Sequence, residues 1–249
     1  MKALVQRGLK RLGYTLYRDV PRDTANPLPV EQAAHAALLR AVIERAHVNC
    51  VLDVGAHRGG FHHLLRANGY RGEIVSFEPV STSFAALGVD GDPAWRAHRL
   101  ALGREAGVAT INVARESNFT SFLEPNRFSV EHFGGSEVDR QEEVEVQRLD
   151  ALFADVTAHV PAARVLLKTD TQGWDLEVIE GAAGCLQHVV ALQVELSVRA
   201  IYDGAPGWLE TLDRLRALGF RPAQLTSVGR DAGLGLLELD CLLVREGAG

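Results

Sequence analysis

The sequence has few cysteines: three in 249 residues, Cys50, Cys185 and Cys241, widely spaced and each in or beside an apolar stretch. An odd number without CxxC spacing speaks against a disulfide framework or a structural zinc site, and leaves buried free thiols in a reducing compartment. Also missing is any apolar run near the roughly 18 residues that a membrane span needs. The N-terminus lacks the apolar core and small-residue cleavage site of a secretory signal, so the expected location is the cytoplasm. Excess positive charge is absent as well: the net charge is −6, and no general attraction to nucleic acid is expected. What is present is a globular composition, 47% hydrophobic and 23% charged, in a chain long enough to bury a core without staples.

Met1 to about Asp19 reads as a short basic amphipathic helix. Leu4, Val5, Leu9, Leu12 and Leu16 fall within one arc, and Lys2, Arg7, Lys10 and Arg11 lie mostly outside it. Such a helix suits peripheral contact of residues 1–19 with an anionic membrane, or packing on the domain or on a partner subunit of a homo-oligomer. Val20–Pro29 holds three prolines and an Asn, a linker composition. With a second helix over Glu31–Ala46, residues 1–46 read as a helical extension and linker, and residues 47–249 as one domain.

From Cys50 onwards strand and helix patterns alternate. Strands are expected at Cys50–Val54, Glu73–Phe77, Trp95–Leu102, Val165–Thr169 and Val189–Leu196, with a closing pair at Phe220–Thr226 and Leu237–Val244. Helices are expected at Gly59–Asn68, from Ser81 to Leu87, and at Leu176–Gly181 and Trp208–Leu218. Val108–Val113 and Glu142–Arg148 are extended segments bracketing a long irregular stretch. The alternation predicts an α/β fold with a mostly parallel seven-stranded sheet and helices on both faces.

The first strand runs into Gly55-Ala56-His57-Arg58-Gly59-Gly60 and a helix, the place where ligands gather on open α/β sheets. Gly55 lets the backbone pass close to a ligand. A dinucleotide fold would need GxGxxG here to approach a pyrophosphate; this loop has Asp53 two residues before Gly55 and no second glycine two residues after it. The asymmetry favours a ligand with a charged amino-acid end and no phosphate, S-adenosylmethionine over NAD. Glu78, closing the second strand about 20 residues past the loop, can accept both hydroxyls of a ribose, or cap the helix from Ser81. Pro79 stiffens the turn, and Ala101 and Leu102 would border the adenine ring.

These residues resemble the FkbM-type methyltransferases. The likeness runs from about Val51 to Arg245 and rests on VLDVGAHRGGF, IVSFEP, LLKTDTQGWDLEVIEGA and the strand LQVELS followed by IYDG. It implies a Rossmann-like class I methyltransferase fold and methyl transfer, usually to an oxygen on a sugar, glycolipid or natural-product scaffold. Asp53, Gly55 and Glu78 carry over as cofactor positions. Two departures stand out: His57 where the family commonly has Asn, and Gln172-Gly173-Trp174-Asp175 where it often has Glu-Gly-x-Glu.

Asp170 closes the fourth strand and Glu195 the fifth. Adjacent strands lie about 4.8 Å apart, so the two acids emerge together beside the crevice and repel unless a cation, a proton or a hydrogen-bond donor intervenes. Mg²⁺ on Asp170 and Glu195 is one reading, and it would orient a substrate hydroxyl. The other has Lys168 neutralise Asp170, which then acts near the cofactor or as a general base. His132 is a further catalytic candidate, entering from the long segment on closure. On the acceptor side, Asn118 and Ser121 in that segment, with Trp174 and Tyr202 after the fourth and fifth strands, suit a polyhydroxylated ligand; Arg199 pairs with an anionic acceptor or with Glu195. The expected activity is O-methylation of a small-molecule, glycan or glycolipid acceptor. A non-catalytic cofactor-binding partner and a nicotinamide-dependent oxidoreductase are the alternatives.

Overall fold

The computed structural model describes residues 29–247. The basic helix read over residues 1–19 and all of the linker but Pro29 lie outside the described residues. Helix α1 (Pro29–Arg45) leads into β1 (Cys50–Val54), α2 (Gly60–Ala67), β2 (Glu73–Phe77), α3 (Ser81–Ala85) and β3 (Trp95–His98). Then come β4 (Ala101–Leu102), β5 (Gly107–Ala114), α4 (Arg127–His132), β6 (Val138–Gln147) and α5 (Leu149–Val156). The chain closes with β7 (Val165–Thr169), α6 (Asp175–Gly181), β8 (Val189–Ser197), α7 (Trp208–Ala217), β9 (Phe220–Arg230) and β10 (Leu236–Arg245).

Seven strands form one sheet in the order β3-β2-β1-β7-β8-β10-β9, parallel except for β10, which runs against both of its neighbours. The central strands β1 and β7 are buried at every position, as expected where helices cover both faces. On one face Leu52, Val54 and Leu167 pack with Leu149 of α5, Ile179 of α6 and Leu215 of α7. On the other, Val51, Ile74 and Leu166 pack with Leu39 and Val42 of α1 and Leu65 of α2. The three cysteines are free and buried, and burial pushes their thiols up to about 12. Among the described residues no helix is long and apolar enough to cross a membrane.

The strand expected over Trp95–Leu102 divides in two. β3 follows β2 as far as His98 opposite Phe77 and one further bond from the Glu78 amide to His98. Pro79 has no N–H to continue the ladder. β4 leaves for a second sheet, ordered β4-β6-β5, that the sequence did not announce. Its inner side is made by Ala101, Ile111, Val113, Val144 and Val146 packed on Val80. Outward Glu143 and Glu145 alternate with inward Val144 and Val146. The irregular stretch thereby shrinks to residues 115–137, which still hold α4 and a 3₁₀ turn at Ser117–Phe119.

The chain reverses its direction of sheet growth between β1 and β7, and this is the switch point at which a crevice opens over the strand ends. Register sets which side chains meet there. Asp53 lies opposite Ser76 on one side and Lys168 on the other, and Lys168 lies opposite Gln193. Partners in register share a face, so these form one polar row across four strands.

Candidate active site

Gly55 sits in the left-handed region at φ 73°, and its amide and that of Ala56 donate to the Phe77 carbonyl. A Cβ there would stand 2.0 Å from the Asp170 carbonyl oxygen. The glycine is therefore required by the contact between the β1 loop and the β7 loop, and this is tighter than the ligand clearance expected from sequence. His57 follows at φ 51°, a conformation unusual for a residue with a side chain. Its backbone amide donates to Glu78 Oε2 over 2.8 Å, while the Val80 amide donates to Glu78 Oε1 over 3.0 Å. Glu78 thus fixes both the glycine loop and the turn into α3. Burial pushes its carboxyl up to about 7, although these two amides pull the other way.

Asp53 does not reach the crevice. It is fully buried, accepts a bond from the Ser76 hydroxyl at 3.3 Å and lies 3.1 Å from Lys168 Nζ. The role expected of it, meeting a cofactor ammonium, is corrected to holding Lys168: an acid at 0% exposure needs a cation beside it. Lys168 Nζ in turn donates to the Gly55 carbonyl at 3.0 Å and stands 3.6 Å from Asp170 Oδ2. Burial disfavours the lysine's charge, but Asp53 and Asp170 more than offset this and keep it protonated.

One cavity runs along the crevice. Phe77, Glu78, Pro79, Ala101 and Leu102 line one end, Gly55, His57 and Asp170 the middle, and Gln172, Glu195 and Glu238 the other. Asp170 and Glu195 do meet, as their places on neighbouring strands require. The Gln172 Nε2 donates to Asp170 Oδ1 at 3.2 Å and to Glu195 Oε2 at 2.8 Å. Burial, then the charge of Asp170, raises the Glu195 carboxyl well above the usual range, which favours its protonated form. Burial likewise lifts Glu238 to about 7 and Asp175, at the head of α6, to about 6. The sequence reading passed over Glu238 and set Gln172 aside. The signal for Glu238 was present as an acid alternating with leucines in Leu237-Glu238-Leu239.

The segment after β5 closes over the cavity. Ser117, Asn118, Phe119, Thr120 and Phe122 line it, with Asn118 exposed at the rim and Trp174 packed 5.0 Å from the Phe122 ring. The His57 Nε2 meets the Ser117 hydroxyl at 2.7 Å, tying the β1 loop to this cover. Ser121 and Tyr202, expected to touch the acceptor, are buried behind it instead. The Ser121 hydroxyl donates to the Gln172 carbonyl at 2.7 Å, and the Tyr202 hydroxyl lies 2.8 Å from Gln172 Oε1 and 3.0 Å from the Phe119 carbonyl. His132 is outside the cavity on an exposed face of α4, its Nδ1 spent on the Phe128 carbonyl. Arg199 pairs with Asp231 and stacks over Phe128, away from Glu195.

A second cavity shares Gly55, His57, Asp170 and Val228 with the first and opens beside α1, so Asp170 is reached from two sides. The expected Mg²⁺ finds a poor fit. Asp170 and Glu195 are held by an amide nitrogen, and among the described residues no group of three or more His, Cys, Asp or Glu is placed to hold an ion.

The model of the methyltransferase FkbM domain matches residues 53–222 of the chain. No curated protein matches it in sequence. Among solved structures, the magnesium protoporphyrin IX methyltransferase of Synechocystis with bound S-adenosylmethionine superposes with a TM-score of 0.44 at 11% identity, covering 98% of this chain and 97% of that one. Aeropyrum pernix fibrillarin with natively bound S-adenosyl-L-methionine does so with a TM-score of 0.43 at 13% identity, covering 84% of this chain and 74% of that one.

Proposed function

This chain belongs to the FkbM methyltransferase family, and from that premise we propose that it transfers a methyl group from S-adenosylmethionine to a hydroxyl of a sugar, glycolipid or natural-product acceptor. One observation carries the reading: a single crevice has Glu78 at one end, where a ribose would lie, and a half-buried Asp170 beside Glu195 further along. S-adenosylmethionine supplies an electrophilic methyl on a sulfonium, so the chain has only to align the acceptor and remove its proton.

The two acids divide that work. Burial favours the protonated form of Glu195, and in that form it offers a hydrogen bond to the acceptor oxygen. Asp170 stands at the junction of the two cavities, and there it takes the hydroxyl proton as the new C–O bond forms and the C–S bond breaks. Lys168, 3.6 Å away, holds that carboxylate in place. Asn118 at the rim and the Trp174 indole present an amide and an aromatic face to a ring bearing hydroxyls. No step requires a divalent ion, and none is assigned one.

The test is transfer of an isotope-labelled methyl to a panel of glycosides and hydroxylated natural products. The expected product is a methyl ether that survives mild base. Asp170→Asn should lower kcat by roughly 100-fold or more with S-adenosylhomocysteine still bound. Tight S-adenosylhomocysteine binding without turnover on any acceptor would favour the non-catalytic partner instead.

A further inference from the structure

We propose that Gln172 is the positioning residue of the reacting pair: its side-chain amide takes the place that a cation would hold between Asp170 and Glu195. This rests on the reading of those two acids given above. An amide –NH₂ carries two protons, and here there is one for each carboxylate. The rest of the residue is fixed on the other three sides. The Tyr202 hydroxyl stands at Oε1, the Ser121 hydroxyl donates to the backbone carbonyl, and the backbone itself is left-handed at φ 55° with Gly173 following at φ 91°. Two successive left-handed residues fold the chain back so that the side chain of Gln172 points at the pair rather than at solvent.

The arrangement is exclusive. A hard divalent ion is bound by oxygen ligands, and the amide presents nitrogen to the pair. Turning the amide over would set Oε1 against two carboxyl groups and Nε2 against Tyr202, and would take both N–H donors away from the pair. A carboxylate at this position would set a third acid against Asp170 and Glu195 and remove the two N–H donors that hold them. The amide also links the pair to the cover of the cavity, because Ser121 and Tyr202, which hold Gln172, touch the segment over the crevice. Gln172 thereby joins the acid pair to the cover, which His57 holds separately through Ser117.

The experiment titrates Mn²⁺ into the full-length protein with S-adenosylhomocysteine present, reading free ion by electron paramagnetic resonance. The native chain should take up no ion at the pair. Gln172→Glu should bind one Mn²⁺ at least about tenfold more tightly than the native chain, and adding Glu195→Gln should abolish it. Uptake by the native chain that disappears with Glu195→Gln overturns the proposal. So does a Gln172→Glu chain that folds and takes up no ion. If Gln172→Glu does not fold, Gln172→His offers a ring nitrogen at the same place and is judged by the same two outcomes. Calorimetry of S-adenosylhomocysteine on the native sample is separate: its failure would count against the proposed function, while the Mn²⁺ comparison would still decide the role of the amide.

Discussion

Gly55 and Glu78 show how differently two residues of one site can be constrained. At Gly55 the limit is steric, since a methyl group would overlap the Asp170 carbonyl at 2.0 Å. Gly55→Ala is expected to lose S-adenosylhomocysteine affinity by at least about 100-fold, or to fail to fold, as calorimetry with circular dichroism would show. At Glu78 the limit is electrostatic. Its carboxyl titrates near 7, so it passes from mostly protonated at pH 6 to mostly ionised at pH 8. Ribose hydroxyls donate more strongly to the ionised form. Affinity for S-adenosylhomocysteine should therefore tighten across that range, and Glu78→Gln should bind more weakly and flatten the dependence. Both positions were legible in the sequence because a strand end followed by glycine or proline has few meanings. The part played by Asp53 was not legible, because the direction of a strand side chain depends on register with neighbours 23 and 115 residues away. Ser121 and Tyr202 had suitable chemistry for an acceptor site, but only tertiary packing shows that they are buried behind it.

At the scale of elements, the strands buried on both faces were read to the residue, since β1, β2 and β7 are short apolar runs with sharp ends. The second sheet was missed. Its strands β5 and β6 were seen as extended, but their partnership depends on β4 leaving the main sheet at Pro79, a two-residue event with almost no pattern of its own. That sheet carries the segment over the crevice, and the His57–Ser117 contact joins the segment to the glycine loop. Burial, followed by the charge of Arg58, lowers the His57 pKa, so the ring is neutral at pH 7 and serves as an uncharged latch. His57→Ala should speed hydrogen exchange of residues 117–122 by several-fold while β1 and β7 keep their protection, a difference that exchange mass spectrometry resolves.

For the whole molecule, buried acids in and beside the two cavities decide how stability responds to pH. Glu78, Glu238 and Asp240 are raised to about 7 and Asp175 to about 6, in each case first by burial. In the unfolded chain such groups titrate near about 4. Between the two values the folded state binds more protons, so this contribution is fully present below pH 4 and is lost as pH rises through 7. His35, His57 and His98 are lowered by burial and work in the opposite sense, but only below about 6.5. The melting temperature without ligand should therefore fall from pH 6.5 to 8, and Asp240→Asn should reduce the slope. A rise over that interval would show that these carboxyls are already ionised in the fold. The alternation of strands and helices predicted the seven-stranded sheet, since right-handed crossovers leave few ways to connect them. It carried no information about which acids would share a face.

The contact of Gly55 with Asp170 has a consequence for how the protein is made. Lys168 meets the Gly55 carbonyl across 113 residues of chain. A ribosome adds about 5–20 residues per second, so the nascent chain displays the glycine loop for several seconds before Lys168 and Asp170, which pack against it, exist. A ligand of the crevice therefore has no complete site on the early chain. It can stabilise only the completed domain, by mass action on the folded form.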